Sequence, residues 1–374
     1  MKKIFIVFSL AILIFSCGKK KAEKPVIETK KTEEAEPVKP VKKERVLSIT
    51  GVGDIMLGSN YPSNSLLPSN NSNILKDVEA DLKTSDITFG NLEGTLFDSG
   101  GTPKNCANPS VCYVFRTPSL FGKYLVDAGF DVMSIANNHN GDFGSVGREK
   151  TKENLDSLGI KYAGLANTDE SIIFEKDGIK YGFAAFAPNN GTVSINDIEH
   201  AKEIVKKLKE NSDIVIISFH GGAEGDQYQD VPRKNETFYG ENRGDVYKFA
   251  HEMVDAGADI IFGQGPHVIR AVELYNGKFI SYSAGNFATY GNFSLSGVKG
   301  IAPIFKINID QDGNFLNGKI ISTYQVKGSG PKIDSNNKAA KKVIELTKKN
   351  FPETKLEISE DGEIKKIDWL ALIV

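Results

Sequence analysis

The sequence predicts an α/β fold with a mixed β-sheet, beginning near residue 46. Apolar β-rich runs alternate with amphipathic helical patterns along the chain, which is typical of α/β domains. Two apolar segments also contain hairpin turns, Lys176-Asp177-Gly178 and Tyr275-Asn276-Gly277, which indicate antiparallel strands within the same architecture. The sheet is therefore expected to be mixed, and it has enough strands to be doubled.

The individual elements follow from periodicity and from the residues that end them. Glycines at positions 129, 159 and 257 end helical patterns, and Thr117-Pro118 precedes one. The predicted helices are residues 119–128, 147–158, 195–208 and 246–256. The predicted strands are residues 46–52, 87–89, 131–136, 214–219 and 259–262, with hairpins inside 172–187 and 268–283. After Ile301 the sequence predicts strands around a turn at 310–313, a helix over 337–349 and a hairpin at Asp361-Gly362.

The N-terminus has the features of an export signal followed by a tether. Lys2 and Lys3 precede an apolar run, residues 4–15, that is too short to span a bilayer comfortably. The run ends in Ser16-Cys17, which resembles a bacterial lipobox, so residues 1–17 are interpreted as a lipoprotein signal with lipidation at Cys17. The alternatives are an ordinary signal peptide or a retained anchor. Residues 18–45 are rich in Lys, Glu and Pro and predict a disordered charged tether.

Composition and cysteine content limit which partners and which cysteine chemistry are expected. The formal net charge of −2 gives no basic field, so a nucleic-acid partner is not expected. Cys106 and Cys112 lie close together, and in an exported protein they are expected to form a disulfide. The alternative, a metal or redox pair, has too few nearby ligands for a zinc site.

Metal-competent side chains follow each predicted strand. Because strand ends of open α/β sheets share one crevice, these groups are expected to converge there. Carboxylate, amide oxygen and imidazole ligands favour one or two divalent cations such as Mn, Fe, Zn or Mg. The candidate residues are Asp54, Asn91, Glu93, Asn137, Asn138, His139, His220, Glu224 and His267.

Each of these residues also has a structural interpretation. A single histidine after a strand is commonly a hydrogen-bonded structural group. Asp54 and Glu93 are alternatively residues that brace turns, and Asn137-Asn138 alternatively forms an Asx turn. His200 and His251 lie on amphipathic helical patterns and are expected at the surface or the domain boundary. The shared position after strands is the stronger indication of a common site.

The order of these motifs over about residues 48–290 resembles the CapA family, capsule proteins of the poly-γ-glutamate type. The motifs are Gly53-Asp54-Ile55-Met56, Asn91-Leu92-Glu93, Ala136-Asn137-Asn138-His139 with Asp142-Phe143-Gly144, His220-Gly221-Gly222-Ala223-Glu224, Pro266-His267-Val268 and Tyr282-Ser283-Ala284-Gly285-Asn286-Phe287. The resemblance implies a four-layer α/β/β/α sandwich of the calcineurin-like metallophosphoesterase type over residues 46–300. Residues 301–374 would be a small α+β extension packed on the same domain.

The resemblance also implies roles for individual residues. Glu93 would bridge or orient water, and His139 would act as the acid outside the metal shell. Asp142 and Glu224 would orient imidazoles. Gln264 and Asn286 would contact the ligand residues without binding the cation themselves. The implied metal ligands are Asp54, Asn91, Asn138, His220 and His267. Met56 and Gln264-Gly265 stand where related phosphoesterases carry histidines. The departure at Gln264-Gly265 leaves one cation position short of an imidazole, so the resemblance implies either a single-cation site or weak binding at the second position.

These observations predict a metal-dependent, phosphoesterase-like hydrolase that is anchored by lipid in the cell envelope, outside the cytoplasm, and acts on a phosphoester or related bond during synthesis, release or attachment of its polymer. Its partners would be the membrane lipid, an anionic capsule-type polymer and other capsule-synthesis proteins. Two alternatives remain open. One is a non-catalytic lipoprotein that binds or guides the polymer, and the other is an anchored structural lipoprotein.

Overall fold

The computed structural model describes residues 45–106 and 112–367. The predicted signal, Cys17 and the tether up to residue 44 lie outside the described residues. Within the described part of the chain, no helix combines the length and apolarity needed to cross a membrane.

Strands and helices alternate through the first part of the chain, and strands dominate its last part. The strands are β1 (Leu47–Met56), β2 (Ile87–Leu92), β3 (Thr95–Leu96), β4 (Arg116–Thr117), β5 (Val132–Ser134), β6 (Lys161–Ala163), β7 (Ser171–Lys176), β8 (Ile179–Phe186), β9 (Ile214–His220), β10 (Glu236–Phe238), β11 (Glu241–Gly244), β12 (Ile260–Gln264), β13 (Val272–Tyr275), β14 (Lys278–Ser281), β15 (Asn286–Thr289), β16 (Ile301–Ile309), β17 (Phe315–Tyr324), β18 (Lys332–Ile333), β19 (Leu356–Ile358) and β20 (Glu363–Lys366). The helices are α1 (Glu79–Leu82), α2 (Gly122–Asp127), α3 (Gly144–Ser157), α4 (Ile198–Asn211), α5 (Val246–Ala256) and α6 (Lys338–Asn350).

Two large sheets organise the described residues. The first has the order β19-β20-β17-β16-β1-β2-β5-β6, with β15 also paired to β1 and β18 to β17. Strands β1, β2, β5 and β6 are parallel, whereas β16 and β17 extend the sheet in antiparallel fashion. The second sheet has the order β13-β14-β12-β9-β8-β7, with an antiparallel hairpin at each edge. The hairpins predicted within 172–187, within 268–283 and at Asp361-Gly362 are therefore all present, and the C-terminal strands belong to the first sheet.

The two sheets pack face to face through aromatic side chains. Phe89 on β2 stacks on Phe262 of β12 at a ring-centroid distance of 5.4 Å, and it also contacts Phe183 of β8 at 5.7 Å. Gly51 of β1 lies opposite, where an added Cβ would lie 2.2 Å from the Phe262 ring. Only glycine allows the sheets to approach this closely at that point.

Helices cover the outer faces of both sheets and complete four layers. Leu125 of α2 and Leu155 of α3 belong to the core that contains Val52 and Ile55 of β1. Helices α4 and α5 cover the other sheet with the buried faces of their amphipathic patterns. The four-layer α/β fold is thus confirmed. Helix α6 contacts strands of both sheets, β16, β17 and β13.

Some predicted boundaries are wrong by a few residues, for identifiable reasons. Strand β1 continues through Met56 because the Asp54 amide donates to Gly285 O at 2.9 Å and β15 pairs with this end. Helix α4 begins at Ile198 instead of residue 195 because the Asp197 carboxylate accepts a hydrogen bond from the His200 amide. Residues Ser119–Phe121 form a 3₁₀ turn that precedes α2.

We expect the aromatic contact between the sheets to contribute strongly to stability. Phe262→Ala removes a fully buried ring and leaves a cavity between Phe89 and Gly51, so the free energy of unfolding should fall by about 3–5 kcal/mol. Urea denaturation followed by circular dichroism measures this loss. The control is Leu316→Ala on β17, where the side chain is 39% exposed and a change within about 0.5 kcal/mol is expected. Equal losses of stability in both variants would contradict the expected contribution of the Phe262 contact between the sheets.

Candidate metal centre

The ends of strands from both sheets meet around the carboxylate of Glu93. Asp54 and Asn91 are paired in register on β1 and β2, and Glu93 directly follows β2. From the second sheet, β9 ends at His220, which is paired with Gln264 at the end of β12. The convergence expected from strand-end positions is therefore present at the boundary between the two sheets.

Three imidazoles surround the Glu93 carboxylate, which is fully buried. His220 Nε2 lies 3.3 Å from Glu93 Oε2, while His139 Nε2 and His267 Nε2 lie 3.9 and 4.0 Å from Oε1. Burial alone raises the pKa of Glu93, but the positive charge on His220, His267 and His139 outweighs burial and holds the pKa well below its ordinary value. Glu93 is consequently a carboxylate in this site.

Several ligand atoms in this region are buried without a hydrogen-bond partner. They include Glu93 Oε1, Asn138 Oδ1 and both ring nitrogens of His220. Among the described residues, Glu93, His220 and His267 offer ligand atoms that all lie within 4.8 Å of one another. A buried polar atom without a partner is costly, and a bound cation would satisfy several of these atoms together. The donor set of one carboxylate and two imidazoles therefore fits a divalent cation.

His267 is held by Asp54. The Asp54 Oδ2 atom lies 2.9 Å from His267 Nδ1, which directs Nε2 towards Glu93. Burial lowers the pKa of His267, but the hydrogen bond and charge of Asp54, followed by the charges of Glu224 and Glu93, raise it to about 10. Coordination through Nε2 requires loss of that proton while Nδ1–H remains bound to Asp54.

Asn91 braces the two acidic groups. Its Nδ2 donates to Asp54 Oδ1 at 2.9 Å and to Glu93 Oε2 at 2.7 Å. Its Oδ1 accepts from Asn137 Nδ2 at 3.1 Å. The side-chain oxygen of Asn91 is thus already bound to Asn137. Asn91 could act as a cation ligand only if its side-chain amide rotated by about 180°, so its role as a ligand stays a prediction.

His139 belongs to a separate chain of charged groups. Its Nδ1 lies 2.8 Å from Asp142 Oδ2, and Asp142 Oδ1 pairs with Lys104 Nζ at 2.6 Å. Its backbone amide donates to Asn137 Oδ1 at 3.0 Å, so Asn137 also forms the Asx turn that the sequence left open. Asp142 thus orients His139, as the resemblance implies.

The remaining predicted residues have different surroundings. Glu224 Oε2 lies 4.0 Å from His267 Nε2, and Glu224 Oε1 accepts a hydrogen bond from Arg243 Nη1 at 2.8 Å. Among the described residues, no imidazole donates a hydrogen bond to Glu224. Gln264 donates to Val52 O at 3.0 Å and Asn286 donates to His267 O at 3.3 Å. Both keep a buried side-chain oxygen without a partner. His200 and His251 lie elsewhere, paired with Glu170 and Glu273.

Two buried arginines support the loop after β9, and sequence reasoning missed both. Arg270 is fully buried and pairs with both carboxylate oxygens of Glu236 at 2.7 and 2.8 Å. It also donates to Ala223 O at 3.2 Å, within the loop that joins His220 to Glu224. The available signal was an arginine, Arg270, that stands between the apolar pairs 268–269 and 271–272. Arg243 performs a similar role for Glu224.

An open cleft of about 490 Å³ lies over these groups. Asn138, His139 and His267 are among the residues that line it. The lining also includes aromatic, basic and acidic side chains, namely Tyr113, Phe115, Phe238, Tyr239, Phe293, Lys104, Arg243, Lys299, Glu224 and Glu241. Cys106 also lines the cleft and forms a disulfide with Cys112, with a Cα–Cα distance of 5.7 Å.

Comparison with known sequences gives one family and several relatives. The model of the family described as bacterial capsule synthesis protein PGA_cap matches residues 48–290. "PGA biosynthesis protein CapA" of Bacillus subtilis is 32% identical over 259 residues, covering 65% of this chain and 63% of the relative. "Capsule biosynthesis protein CapA" of Bacillus anthracis is 29% identical over 275 residues, covering 69% and 63%. The chain therefore spans less than two thirds of either relative.

Solved structures give more distant matches. NAD nucleotidase from Haemophilus influenzae is 11% identical with a TM-score of 0.40, covering 83% of this chain and 57% of that one. The purple acid phosphatase PPD1 from yellow lupin is 9% identical with a TM-score of 0.38, covering 78% and 54%.

The buried Arg270–Glu236 pair yields a stability test. Arg270→Met leaves Glu236 buried without its counter-charge, so the free energy of unfolding should fall by about 3–5 kcal/mol. Adding Glu236→Gln removes the uncompensated charge and should restore a large part of the loss. Urea denaturation measures both variants. A single variant that is as stable as the unaltered protein would show that this pair does not support the loop.

Proposed function

Because the chain belongs to the bacterial capsule synthesis protein family PGA_cap, we propose that it is a metal-dependent hydrolase acting on an anionic envelope polymer of the poly-γ-glutamate type. The bond would be a phosphoester or a related bond cleaved during synthesis, release or attachment of the polymer. The observation that carries the proposal is that Glu93 and His220 have buried ligand atoms without hydrogen-bond partners and, together with His267, offer ligand atoms that all lie within 4.8 Å of one another.

Glu93, His220 and His267 would hold the cation, and Asp54 and Asn138 would be additional ligands. Mn, Fe, Zn and Mg all suit this mixture of oxygen and nitrogen ligands. A cation bound here supplies Lewis-acid polarisation of an oxygen atom and makes a water molecule more acidic. Asp54 fixes the ring of His267 through Nδ1, and Asn91 fixes the carboxylates of Asp54 and Glu93, so the ligands are oriented in advance.

His139 is the proposed proton donor. Asp142 holds its Nδ1, so Nε2 is the atom that faces Glu93 and the cleft. A proton on Nε2 is in position to pass to a leaving group in the cleft. Lys104 balances the charge of Asp142 from the other side, which keeps the carboxylate in place while the imidazole changes charge.

A non-catalytic polymer-guiding protein is the second candidate. Gln264, where related phosphoesterases carry a histidine, donates to Val52 O and offers at most an amide oxygen to a second cation. The second of two cation positions would then have too few ligands to hold a cation. Without that cation the cleft would bind the polymer but would not cleave it.

The predicted location agrees with this role. The proposed lipid on Cys17 and the charged tether would hold the cleft near the outer face of the membrane, where an exported polymer and other capsule-synthesis proteins are within reach. The Cys106–Cys112 disulfide supports an oxidising compartment outside the cytoplasm.

Cation binding is the first test of the proposal. His220→Ala and His267→Ala each remove one of three converging ligands, so the affinity for Mn or Zn should fall at least tenfold. Elemental analysis of the protein after loading at a series of cation concentrations measures this loss. His200→Ala is the matched control because that imidazole is half-exposed on α4 and pairs with Glu170. If both site variants retain the cation as well as the control does, the proposed centre is wrong.

Catalysis requires its own test. The cation-loaded protein should hydrolyse a phosphomonoester, a phosphodiester or polyglutamate. His139→Gln should lower kcat about 10²–10⁴-fold with cation content unchanged. Asp142→Asn should lower kcat in the same direction because Nδ1 loses its charged partner. If the loaded protein is inert on all three substrates and His220→Ala preserves its role in cells, the polymer-guiding candidate replaces the hydrolase.

A further inference from the structure

An open groove lies between helix α6 and strand β19 in the C-terminal extension, here called the α6–β19 groove. Its volume is about 460 Å³, and its apolar lining consists of Ile344 on α6, Leu356 and Ile358 on β19, and Ile367. Ile344 is half-buried and lies outside the stripe of α6 residues that is buried against the sheets. A groove of this size with an apolar lining is typical of a binding site.

The polar residues of the groove do not require a polar occupant. Thr347 Oγ1 accepts a hydrogen bond from the Val272 amide at 3.1 Å, so this hydroxyl is already bound to strand β13. Lys348 and Glu357 also line the groove, and both side chains are exposed to water. An occupant that is apolar where it meets Ile344 and β19 would therefore leave no buried charge without a partner.

Strand β19 is the edge of the first sheet. Within the part of the chain that the structure describes, it pairs only with β20, in antiparallel fashion. The outer side of an edge strand presents N–H and C=O groups that an additional extended segment can pair with. The α6–β19 groove thus lies beside a strand that can accept a further segment of chain.

The sequence that follows Ile367 is strongly apolar. The Ile367 amide donates to Lys355 O at 2.9 Å, which places Ile367 beside the start of β19, in the wall of the groove. Residues 368–374 lie outside the described residues, and their sequence is Asp368 followed by Trp-Leu-Ala-Leu-Ile-Val. Because an extended chain advances about 3.3 Å per residue, these residues can turn back after Asp368 and still cover the three residues of β19.

We propose that residues 368–374 dock in the α6–β19 groove, with Trp369 and the apolar residues after it packed against Ile344, Leu356 and Ile358. Burial of this apolar run is the driving force, and its direct connection to Ile367 gives it a high effective concentration at the groove. Since α6 contacts strands of both sheets, the docked segment would brace the C-terminal extension on the domain. The inference goes beyond the proposed function, because the groove is separate from the candidate metal centre and its occupation requires no cation.

Fluorescence tests this inference directly, because Trp369 is the only tryptophan in the chain. In the purified full chain, excited where tyrosine does not absorb, the emission maximum should lie at a shorter wavelength than that of free tryptophan, and acrylamide should quench it weakly. Ile344→Asp puts a charge into the groove and should shift the maximum to a longer wavelength and increase quenching. Ile344→Leu should retain the original emission. Ile333→Asp is the matched control, since this isoleucine is 44% exposed on β18 and does not line the groove.

A double-mutant cycle gives a second measurement that does not depend on fluorescence. Trp369→Ala and Ile344→Ala should each lower the midpoint of urea denaturation followed by circular dichroism. The double variant should lower it by less than the sum of the two losses, because both substitutions remove the same contact. Trp369→Ala combined with Ile333→Ala should give additive losses.

Four results would overturn the inference. The first is emission of the unaltered protein at the wavelength of free tryptophan, and the second is a short-wavelength emission that Ile344→Asp leaves unchanged. The third is a shift to shorter wavelength that appears only with vesicles of phosphatidylcholine and phosphatidylglycerol, equally in Ile344→Asp, which would indicate a membrane contact instead. The fourth is loss of the short-wavelength emission on dilution as a dimer dissociates, which would indicate exchange with a second copy. None of these results depends on the cation content, so they leave the proposed function untouched.

Discussion

The burial of the Glu93 carboxylate at the junction of two sheets is the constraint on which the site depends. A carboxylate removed from water is strongly unfavourable unless positive charge or donors surround it. Three imidazoles and the Asn91 amide supply that environment: Asn91 lies in β2, His220 ends β9, and His139 and His267 lie in two separate loops. Glu93 therefore links the ends of β2 and β9 with the loops that carry His139 and His267.

The loops are fixed mainly by backbone contacts, which explains how imidazoles from different strands keep their positions. Gly221 N donates to Gln264 O at 2.9 Å, and Gly225 N donates to Pro266 O at 2.9 Å. At Gly265 an added Cβ would lie 2.7 Å from Gly221 N, so only glycine permits this approach. The Arg270–Glu236 pair then supports the same loop from beneath. A polar site at a junction of sheets thus depends on small residues and buried charges that are distant in sequence.

The sequence was sufficient to predict the parts of this arrangement that depend on local pattern. Alternating apolar runs predicted the strands, and Asp177-Gly178 and Asn276-Gly277 predicted the hairpins because both turns require positive φ. Strand-end positions predicted that Asp54, Glu93, His220 and His267 converge. Pairings distant in sequence were not predictable in this way. No local sequence pattern indicates the Arg270–Glu236 ion pair or the Asn137–Asn91 hydrogen bond. The hairpin of residues 236–244 is too short and too polar for its sequence to indicate a pair of strands.

Charge balance gives a reason to favour one divalent cation over two. Of the acidic groups next to the site, the buried Asp142 is paired with Lys104, and the partly exposed Glu224 is paired with Arg243. The ion pairs of Asp54 and Glu93 within the described residues are all with imidazoles, which carry charge only when protonated. Two carboxylates thus remain to be balanced, either by protonated imidazoles or by one divalent cation with neutral imidazoles. A second cation would add two positive charges to a site whose next nearest carboxylates are already paired, and Gln264 offers it no charge. The raised pKa of His267 follows from the same balance, because without a cation a proton on this ring supplies part of the missing positive charge.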